Sequence, residues 1–290
     1  MHINEAHICS ISRAIDFVEA NLQEEITLAD VADAMRYSLF HFCRMFNGVV
    51  HHAPYEYLMR RRLSESARDL IYSDKKVIEI AFDYQFNSPE TYTRAFKRMF
   101  AMQPRQWRKR GTLPTRALMP RLTEAYLFHL NQGDSLKPVM GKRGEIRLAG
   151  LMTHVKPGDD TTIRQLWEAV IHEIQTVQEH LRMMHYGVSW YPDGWENTGL
   201  YYLAALEMPS SARTPAAFVT KILPEATYAC FHDHGGQAER QLTLDYVYHT
   251  WLPKSGKSLL SPIELEVYDA EPPYCSMNSE GWKLWLPLSS

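Results

Sequence analysis

The sequence lacks the features that would place it among secreted, membrane or zinc-binding proteins. Its four cysteines have no C-x-x-C spacing, which argues against a disulfide framework and a structural zinc site. No stretch approaches the ~20 apolar residues that span a bilayer, and the first residues lack a basic segment followed by an apolar run. A glycine-rich phosphate-binding loop is also missing. We therefore expect a cytoplasmic protein that does not insert in a membrane.

The length and the charge distribution indicate two unlike domains. The chain has 290 residues, of which 45% are hydrophobic, enough for two globular cores. Its net charge of -3 does not by itself indicate a nucleic-acid partner. However, residues 94–110 contain seven Lys or Arg residues and no Asp or Glu. Such a run is often only a solvated face, but beside a DNA-reading helix it is suited to phosphate contacts.

The first third of the chain contains an internal repeat with a period of about 50 residues. Residues 31–38 and 42–46 correspond to residues 80–88 and 92–96. Each copy predicts a short helix, a tight turn, a serine N-cap and a second helix with aromatic residues at positions i and i+4. This is the pattern of a helix-turn-helix unit, and it is present twice.

Capping residues and apolar spacing define the predicted helices more closely. Thr27 is the predicted N-cap of a helix with Asp30 at its third position, and Leu39 is predicted to point to the core. Between the two units, Pro54 is predicted to start a helix that runs to about residue 71, with Tyr55 on its apolar side. A helix of this length, ~27 Å, could join two helix-turn-helix units, here called readers, so that their second helices enter successive major grooves of DNA ~34 Å apart.

Residues 8–110 resemble the DNA-binding domain of the AraC/XylS family. The resemblance rests on residues 28–46, on Pro54-x-x-Tyr57 with Arg60-Arg61-Arg62-Leu63, and on residues 80–100 followed by Gln103-Pro104-Arg105-Gln106-Trp107-Arg108. Because the reader precedes a second domain, the arrangement resembles the Rob subgroup. The resemblance implies double-stranded DNA as a partner, with RNA polymerase as a further candidate.

The resemblance also implies which side chains face DNA. They are Phe40, Cys43, Arg44, Asn47, Arg60, Arg61, Glu90, Thr91, Thr93, Arg94, Lys97, Arg98 and Arg105. Arg44 and Arg94 are expected to bind guanine, whereas Arg60, Arg61, Lys97, Arg98 and Arg105 are expected to contact phosphates. Glu90 has two open roles, as an acceptor for cytosine or as a stabiliser of its helix N-terminus.

The turns depart from the family pattern. Where many members have glycine, this sequence has Arg36, His51, Gln85 and Ala101. A left-handed backbone at any of these positions is expected to cost ~1 kcal/mol or more.

The second half predicts two β-α-β-β repeats after a linker. The predicted strands and helices are 146–155 (strand), 163–181 (helix), 185–190 and 200–208 (strands), then 227–232 (strand), 238–252 (helix), 263–268 and 282–286 (strands). They would form an antiparallel sheet with both helices on one face. The predicted fold class is therefore multidomain α and α+β: an all-α double helix-turn-helix domain in residues 1–111, a linker in residues 112–143 and an α+β domain in residues 144–290.

This half resembles the GyrI-like effector-binding domain. The likeness rests on Tyr228-Ala229-x-Phe231-x-x-His234-Gly235-Gly236, on Trp251-Leu252-Pro253-Lys254-Ser255-Gly256, on Glu266-Val267-Tyr268 and on Leu284-Trp285-Leu286-Pro287-Leu288. The resemblance implies an aromatic cleft with a carboxylate that binds a cationic or amphipathic small-molecule effector. The carboxylate matches Glu266, with Glu264 and Glu207 as weaker candidates. The predicted aromatic neighbours are Tyr191, Trp195, Tyr202, Tyr228 and Trp285.

A ligand-responsive transcription regulator is the favoured function, and other functions stay open. Some relatives of the sensor domain are hydrolases that use a Tyr and a Glu, and a domain that sequesters another protein is a further alternative. His172, His180 and His185 lack helical metal spacing with a third ligand, so we predict no metal site. We also expect no cofactor and no enzymatic activity.

Overall fold

The computed structural model describes residues 3–132, 136–174, 184–209, 214–233, 237–268 and 282–289. The chain forms two compact units. The first comprises Met1–Gly133 and Leu244–Pro253, and the second comprises Asp134–Thr243 and Lys254–Ser290. None of the described helices combines the length and the apolar character that crossing a bilayer requires.

The first unit is helical. Its helices are α1 (Glu5–Ala20), α2 (Leu28–Ala34), α3 (Leu39–Val50), α4 (Pro54–Tyr72), α5 (Val77–Asp83), α6 (Pro89–Phe100), α7 (Pro104–Arg110) and α8 (Glu124–Leu130). Helices α2 and α3 form the first helix-turn-helix unit, α5 and α6 form the second, and α4 joins them. A π-helical segment, Val247–Trp251, also belongs to this unit.

The predicted caps are confirmed. The Thr27 side chain accepts from the Asp30 N–H while the Asp30 side chain accepts from the Thr27 N–H. Ser38 and Ser88 cap α3 and α6 through their hydroxyls, and Pro89 occupies the first turn of α6. These side chains satisfy N–H groups that have no partner within the helix, which fixes where each helix begins.

Two predicted core residues are exposed instead. Leu39 is 46% exposed and Tyr55 is 60% exposed, so the prediction that they point inward is wrong. Both lie in the first turn of their helices. In α3 burial begins only at Phe42, and in α4 Pro54 and Tyr57 are buried whereas Tyr55 between them is not. Apolar spacing alone does not show where along a helix its neighbours begin to cover it.

The four positions without glycine adopt the left-handed backbone. The φ angles are 60° at Arg36, 59° at His51, 63° at Gln85 and 55° at Ala101. Arg36 and Gln85 lie in the two turns, whereas His51 and Ala101 cap the C-termini of α3 and α6. The predicted strain is therefore present at each position, at a cost of ~1–2 kcal/mol.

The second unit contains an eight-stranded antiparallel sheet. Its strands are β1 (Val139–Arg143), β2 (Ile146–Val155), β3 (His185–Trp190), β4 (Leu200–Glu207), β5 (Val219–Leu223), β6 (Ala226–Asp233), β7 (Ile263–Tyr268) and β8 (Trp282–Leu288). Its helices are α9 (Asp160–Ile174), the short α10 (Trp195–Thr198), α11 (Gln237–Tyr246) and α12 (Leu252–Ser255), of which α11 and α12 extend across the unit boundaries. The strand order is β1-β6-β8-β7-β3-β4-β2-β5. The predicted fold class is confirmed.

Several predicted elements differ in extent. The edge strands β1 and β5 were not predicted, because most of their residues are exposed and show no apolar alternation. Residues 112–143, predicted as a linker, contain a 3₁₀ turn (Thr115–Ala117), α8 and β1. The predicted helix at 163–181 is α9 up to Ile174, and its remainder lies outside the described residues.

The sheet is curled, and its two faces differ. Arg143 of β1 lies 3.2 Å from Glu207 of β4, although these strands are five positions apart in the sheet. In a flat sheet they would be ~24 Å apart. The face that carries Glu207 is filled by an apolar cluster that includes Tyr186 and Val188. Helices α9 and α11 contribute Trp167 and Arg240 to the opposite face, as the next subsection describes.

Candidate DNA-binding surface and effector site

The predicted DNA-facing residues of α3 and α6 lie at the surface. In α3, Phe40 is 77% exposed, Arg44 and Asn47 are exposed, and Cys43 is half-buried. The exposed residues of the second reader are Glu90, Thr91, Arg94, Lys97 and Arg98 in α6, together with Arg105 in α7, whereas Thr93 is half-buried. The first reader thus presents one arginine and an exposed aromatic ring, whereas the second presents a group of cations.

The structure favours one of the two roles of Glu90. Hydrogen bonding with its own backbone N–H and with the Ser88 side chain lowers the pKa of the Glu90 carboxyl. A carboxylate that stays ionised in the first turn stabilises the positive end of the helix dipole. The helix-terminus role therefore accounts for the position of Glu90 without a base contact.

Arg61 does not lie on this surface, so its prediction as a phosphate contact is wrong, whereas for the partly buried Arg60 the phosphate contact stays a prediction. Arg61 is 5% exposed and forms an ion pair with Glu19 at 2.7 Å. It also bonds Glu65 at 2.8 Å and donates to the Met119 carbonyl at 2.7 Å. Arg60 donates to the carbonyl of His249 at 2.9 Å, within the first unit. The sequence does not reveal these contacts, because Glu19, Met119 and His249 lie far from Arg60 and Arg61 along the chain.

In the second unit, Glu266 of β7 lies in a polar network beneath the two helices. It is 7% exposed, and its Oε2 atom accepts from the hydroxyls of Tyr202 and Tyr268 at 2.9 Å each. The Tyr202 oxygen in turn accepts from the Trp167 indole N–H of α9 at 3.1 Å. Arg240 of α11 forms an ion pair with the Oε1 atom of Glu266. The buried carboxylate is therefore balanced by one cation and held by two hydroxyl donors.

A glycine and a neutral histidine complete the surroundings of Glu266. Gly187 of β3 pairs with Glu266, and a Cβ atom there would come within 2.1 Å of the Tyr202 oxygen. The position thus needs glycine for the close approach. His185 lies on the same face, and burial lowers its pKa to about 4. His185 is accordingly neutral near pH 7 and adds no cation to the site.

The structure brings three of the five predicted aromatic residues to this face. Tyr202 contacts Glu266 directly. Tyr191 donates to Glu264, two residues before Glu266 on the same face, at 2.7 Å. The rings of Tyr191 and Trp195 lie 4.9 Å apart. Tyr191 and Trp195 therefore flank the site through Glu264.

Tyr228 and Trp285 lie on the opposite face, so their prediction as neighbours of Glu266 is wrong. Both pack in the apolar cluster with Tyr186. In the pairing of β7 with β8, Trp285 is opposite Leu265, whereas Leu284 is opposite Glu266. Side chains alternate between faces along a strand, so a difference of one residue decides the face.

The sequence interpretation missed four residues of the site. Tyr268 could have been found, because it lies two positions from Glu266 and must share its face. No such signal exists in the sequence for Trp167, Arg240 and Trp282, because their proximity to Glu266 depends on how helices and strands pack. Among the described residues no group of three or more His, Cys, Asp or Glu side chains could hold a metal ion, and His180 and His234 lie outside them.

Models of two known protein families match the chain, one near each end. A helix-turn-helix domain model matches residues 31–110, and the model of the integron-associated effector binding proteins matches residues 142–288, half of the chain. The chain belongs to this effector-binding family and carries an AraC-type DNA-binding domain. Along the chain, the DNA-binding domain precedes the effector-binding domain.

Three similar proteins match the DNA-binding domain. The uncharacterized regulator YbfP of Bacillus subtilis is 37% identical over 99 residues, which are 34% of each chain. The right origin-binding protein of Escherichia coli is 40% identical over 93 residues, or 32% of each chain. The probable transcription factor PqrA of Proteus vulgaris is 34% identical over 106 residues, which are 36% of this chain and 87% of PqrA. The chain thus spans about a third of the length of the first two relatives.

Proposed function

We propose that this protein is an AraC-type transcription regulator that responds to an organic cation or cationic amphiphile bound at the Glu266 carboxylate. The observation that carries the proposal is a buried carboxylate with aromatic side chains around it. Tyr202 and Tyr268 bond the carboxylate, and the Trp282 ring lies on the same face. A negative group within aromatic surroundings suits a weakly hydrated organic cation, which gains both ion pairing and cation–π attraction.

On the DNA side, we propose that Arg44, Thr93 and Arg94 read bases. We propose that Lys97, Arg98 and Arg105 contact phosphates, which position the reader without selecting sequence. A ligand changes transcription only if it binds two states of the protein with different affinity. The regulator is thus expected to have one DNA affinity without effector and another with it, and RNA polymerase stays a predicted partner.

The test of the effector site is a calorimetric titration of the full chain with tetraphenylphosphonium, a lipophilic cation. Glu266→Gln removes the charge and keeps the shape, and we expect at least ~10-fold weaker binding because the Coulomb attraction between the carboxylate and the cation is lost. Glu207→Gln is the matched control, since Glu207 lies on the opposite face with Arg143 and should leave binding unchanged. Equal binding by wild type and Glu266→Gln would overturn the proposal.

A Tyr/Glu-dependent hydrolase is the second candidate function. It is favoured by the two tyrosine hydroxyls that lie 2.9 Å from Glu266. If it is correct, the full chain will hydrolyse a p-nitrophenyl ester, and both Tyr202→Phe and Glu266→Gln will abolish turnover. An ester that stays intact with wild type would remove this candidate.

A further inference from the structure

We propose that Arg240 is a built-in competitor that occupies the Glu266 carboxylate until a cationic effector displaces it. The inference rests on the proposed function, because it concerns the same carboxylate. In this proposal Arg240 limits the affinity for the effector, and its displacement releases α11 from Glu266.

The contacts of Arg240 are those that an organic cation would make. Its guanidinium pairs with the Oε1 atom of Glu266, while the tyrosine hydroxyls occupy Oε2. The same guanidinium lies 4.9 Å from the centre of the Trp282 ring. Arg240 therefore uses both the carboxylate and an aromatic face, and a second cation at these groups would be repelled by it.

Burial makes an exchange of cations feasible. The Glu266 side chain is 10% exposed, whereas that of Arg240 is 27% exposed and so retains contact with water. Without any cation the carboxylate would be buried and uncompensated, which is costly. A ligand cation that replaces Arg240 keeps the carboxylate paired and lets the arginine return to solvent. The site is thus never left with an unbalanced charge.

The competition sets the apparent affinity of the effector. A ligand that needs the carboxylate unoccupied binds with an affinity reduced by the fraction of molecules in that state. If Arg240 occupies Glu266 in nine molecules of ten, removal of the arginine would tighten binding by about tenfold.

Displacement of Arg240 has a consequence for α11. The helix continues after Tyr246 into the π-helical segment Val247–Trp251, which belongs to the first unit. There the Thr250 hydroxyl lies 3.2 Å from His52 and 3.0 Å from Tyr126. The next residue back, His249, accepts at its carbonyl from Arg60 of α4, the helix that joins the two readers. π-helical turns are uncommon and often occur at functional sites. Release of α11 at Arg240 is therefore expected to change DNA affinity.

The experiment titrates tetraphenylphosphonium into the full chain as wild type, Arg240→Gln, Glu266→Gln and Lys257→Gln. Lys257 is exposed in the same unit, so its variant controls for the loss of one positive charge. We expect Arg240→Gln to bind about tenfold more tightly, Lys257→Gln to bind as wild type, and Glu266→Gln to lose binding. If Arg240→Gln does not fold, Arg240→Lys serves instead, because it keeps the charge but loses the guanidinium contact with the Trp282 ring. It should also bind more tightly than wild type.

The outcomes separate this inference from the proposed function. Loss of binding in Glu266→Gln with unchanged or weaker binding in the Arg240 variants would overturn the competitor role and leave the proposed function standing. Equal binding by Glu266→Gln and wild type would overturn both. The second readout is fluorescence anisotropy on a duplex selected in vitro with the wild type. Without ligand, Arg240→Gln should have the DNA affinity that wild type shows with saturating tetraphenylphosphonium. If ligand-free Arg240→Gln instead had the DNA affinity of ligand-free wild type, the proposed transmission through α11 would be refuted.

Discussion

The surface of α6 carries its charges exposed to solvent, whereas the site around Glu266 holds its charges buried and paired. Arg94, Lys97 and Arg98 are exposed, whereas Glu266 is buried and paired with Arg240. Exposed charges contribute little to stability and are screened by salt, so they are free to serve a partner. Buried charges must be balanced inside the protein, so any change to them affects folding and binding together. Burial, rather than the unit in which a residue lies, should therefore decide what a substitution does.

The strongest test of this comparison is Arg61, a buried cation in the DNA-binding unit. Arg61→Met leaves the Glu19 carboxylate, whose side chain is 10% exposed, without its cation. We expect the free energy of unfolding to fall by ~3–5 kcal/mol, as for other broken buried pairs. Urea unfolding followed by circular dichroism measures the loss.

Arg68→Met is the matched control, because Arg68 pairs with Glu65 at 3.6 Å and is 42% exposed. Its loss should cost less than ~1 kcal/mol. If the two variants were equally stable, burial would not be the property that separates the two classes of charge.

The next test concerns an exposed cation of α6. Arg94→Ala should weaken DNA binding about 5- to 150-fold, which corresponds to ~1–3 kcal/mol for a lost base contact, and should relax sequence preference. Lys97→Ala should weaken binding to all sequences alike and reduce the slope of log affinity against log salt by ~1. Anisotropy titrations at several salt concentrations measure both effects.

Stability provides the contrast with Arg61. Because Arg94 and Lys97 are exposed, both variants should unfold within ~0.5 kcal/mol of wild type. A large loss of stability in either variant would show that α6 needs these cations for folding, and the comparison would fail on that side.

The accuracy of sequence prediction follows the same division. The exposed surface of α6 was predictable because the repeat, the Ser88 cap and the 3.6-residue period place its side chains without reference to other parts of the chain. The surroundings of Arg61 were not, since its acceptor Glu19 lies 42 residues away. In the sheet, the period of two puts Glu264, Glu266 and Tyr268 on one face, so Tyr268 was predictable although it was not among the predicted site residues. The period of two could not show on which face Trp285 of the neighbouring strand lies relative to Glu266, because the register between two strands is set by their pairing.

The smallest expected effect belongs to neutral residues that carry strain rather than charge. Ala101 caps α6 with a φ of 55°, a conformation that costs an L-residue ~1–2 kcal/mol. Glycine removes that cost but adds ~0.4–1 kcal/mol of chain entropy to the unfolded state, so Ala101→Gly should stabilise the protein by ~0.5–1 kcal/mol. Ala95→Gly, in the helical part of α6, should instead destabilise it by about 1 kcal/mol. Urea midpoints measured side by side would show the opposite signs. If Ala101→Gly is more stable but binds DNA more weakly, we would infer that the strain at this cap holds α6 in the position that binds DNA. An uncharged residue would then also serve DNA binding at a cost in stability.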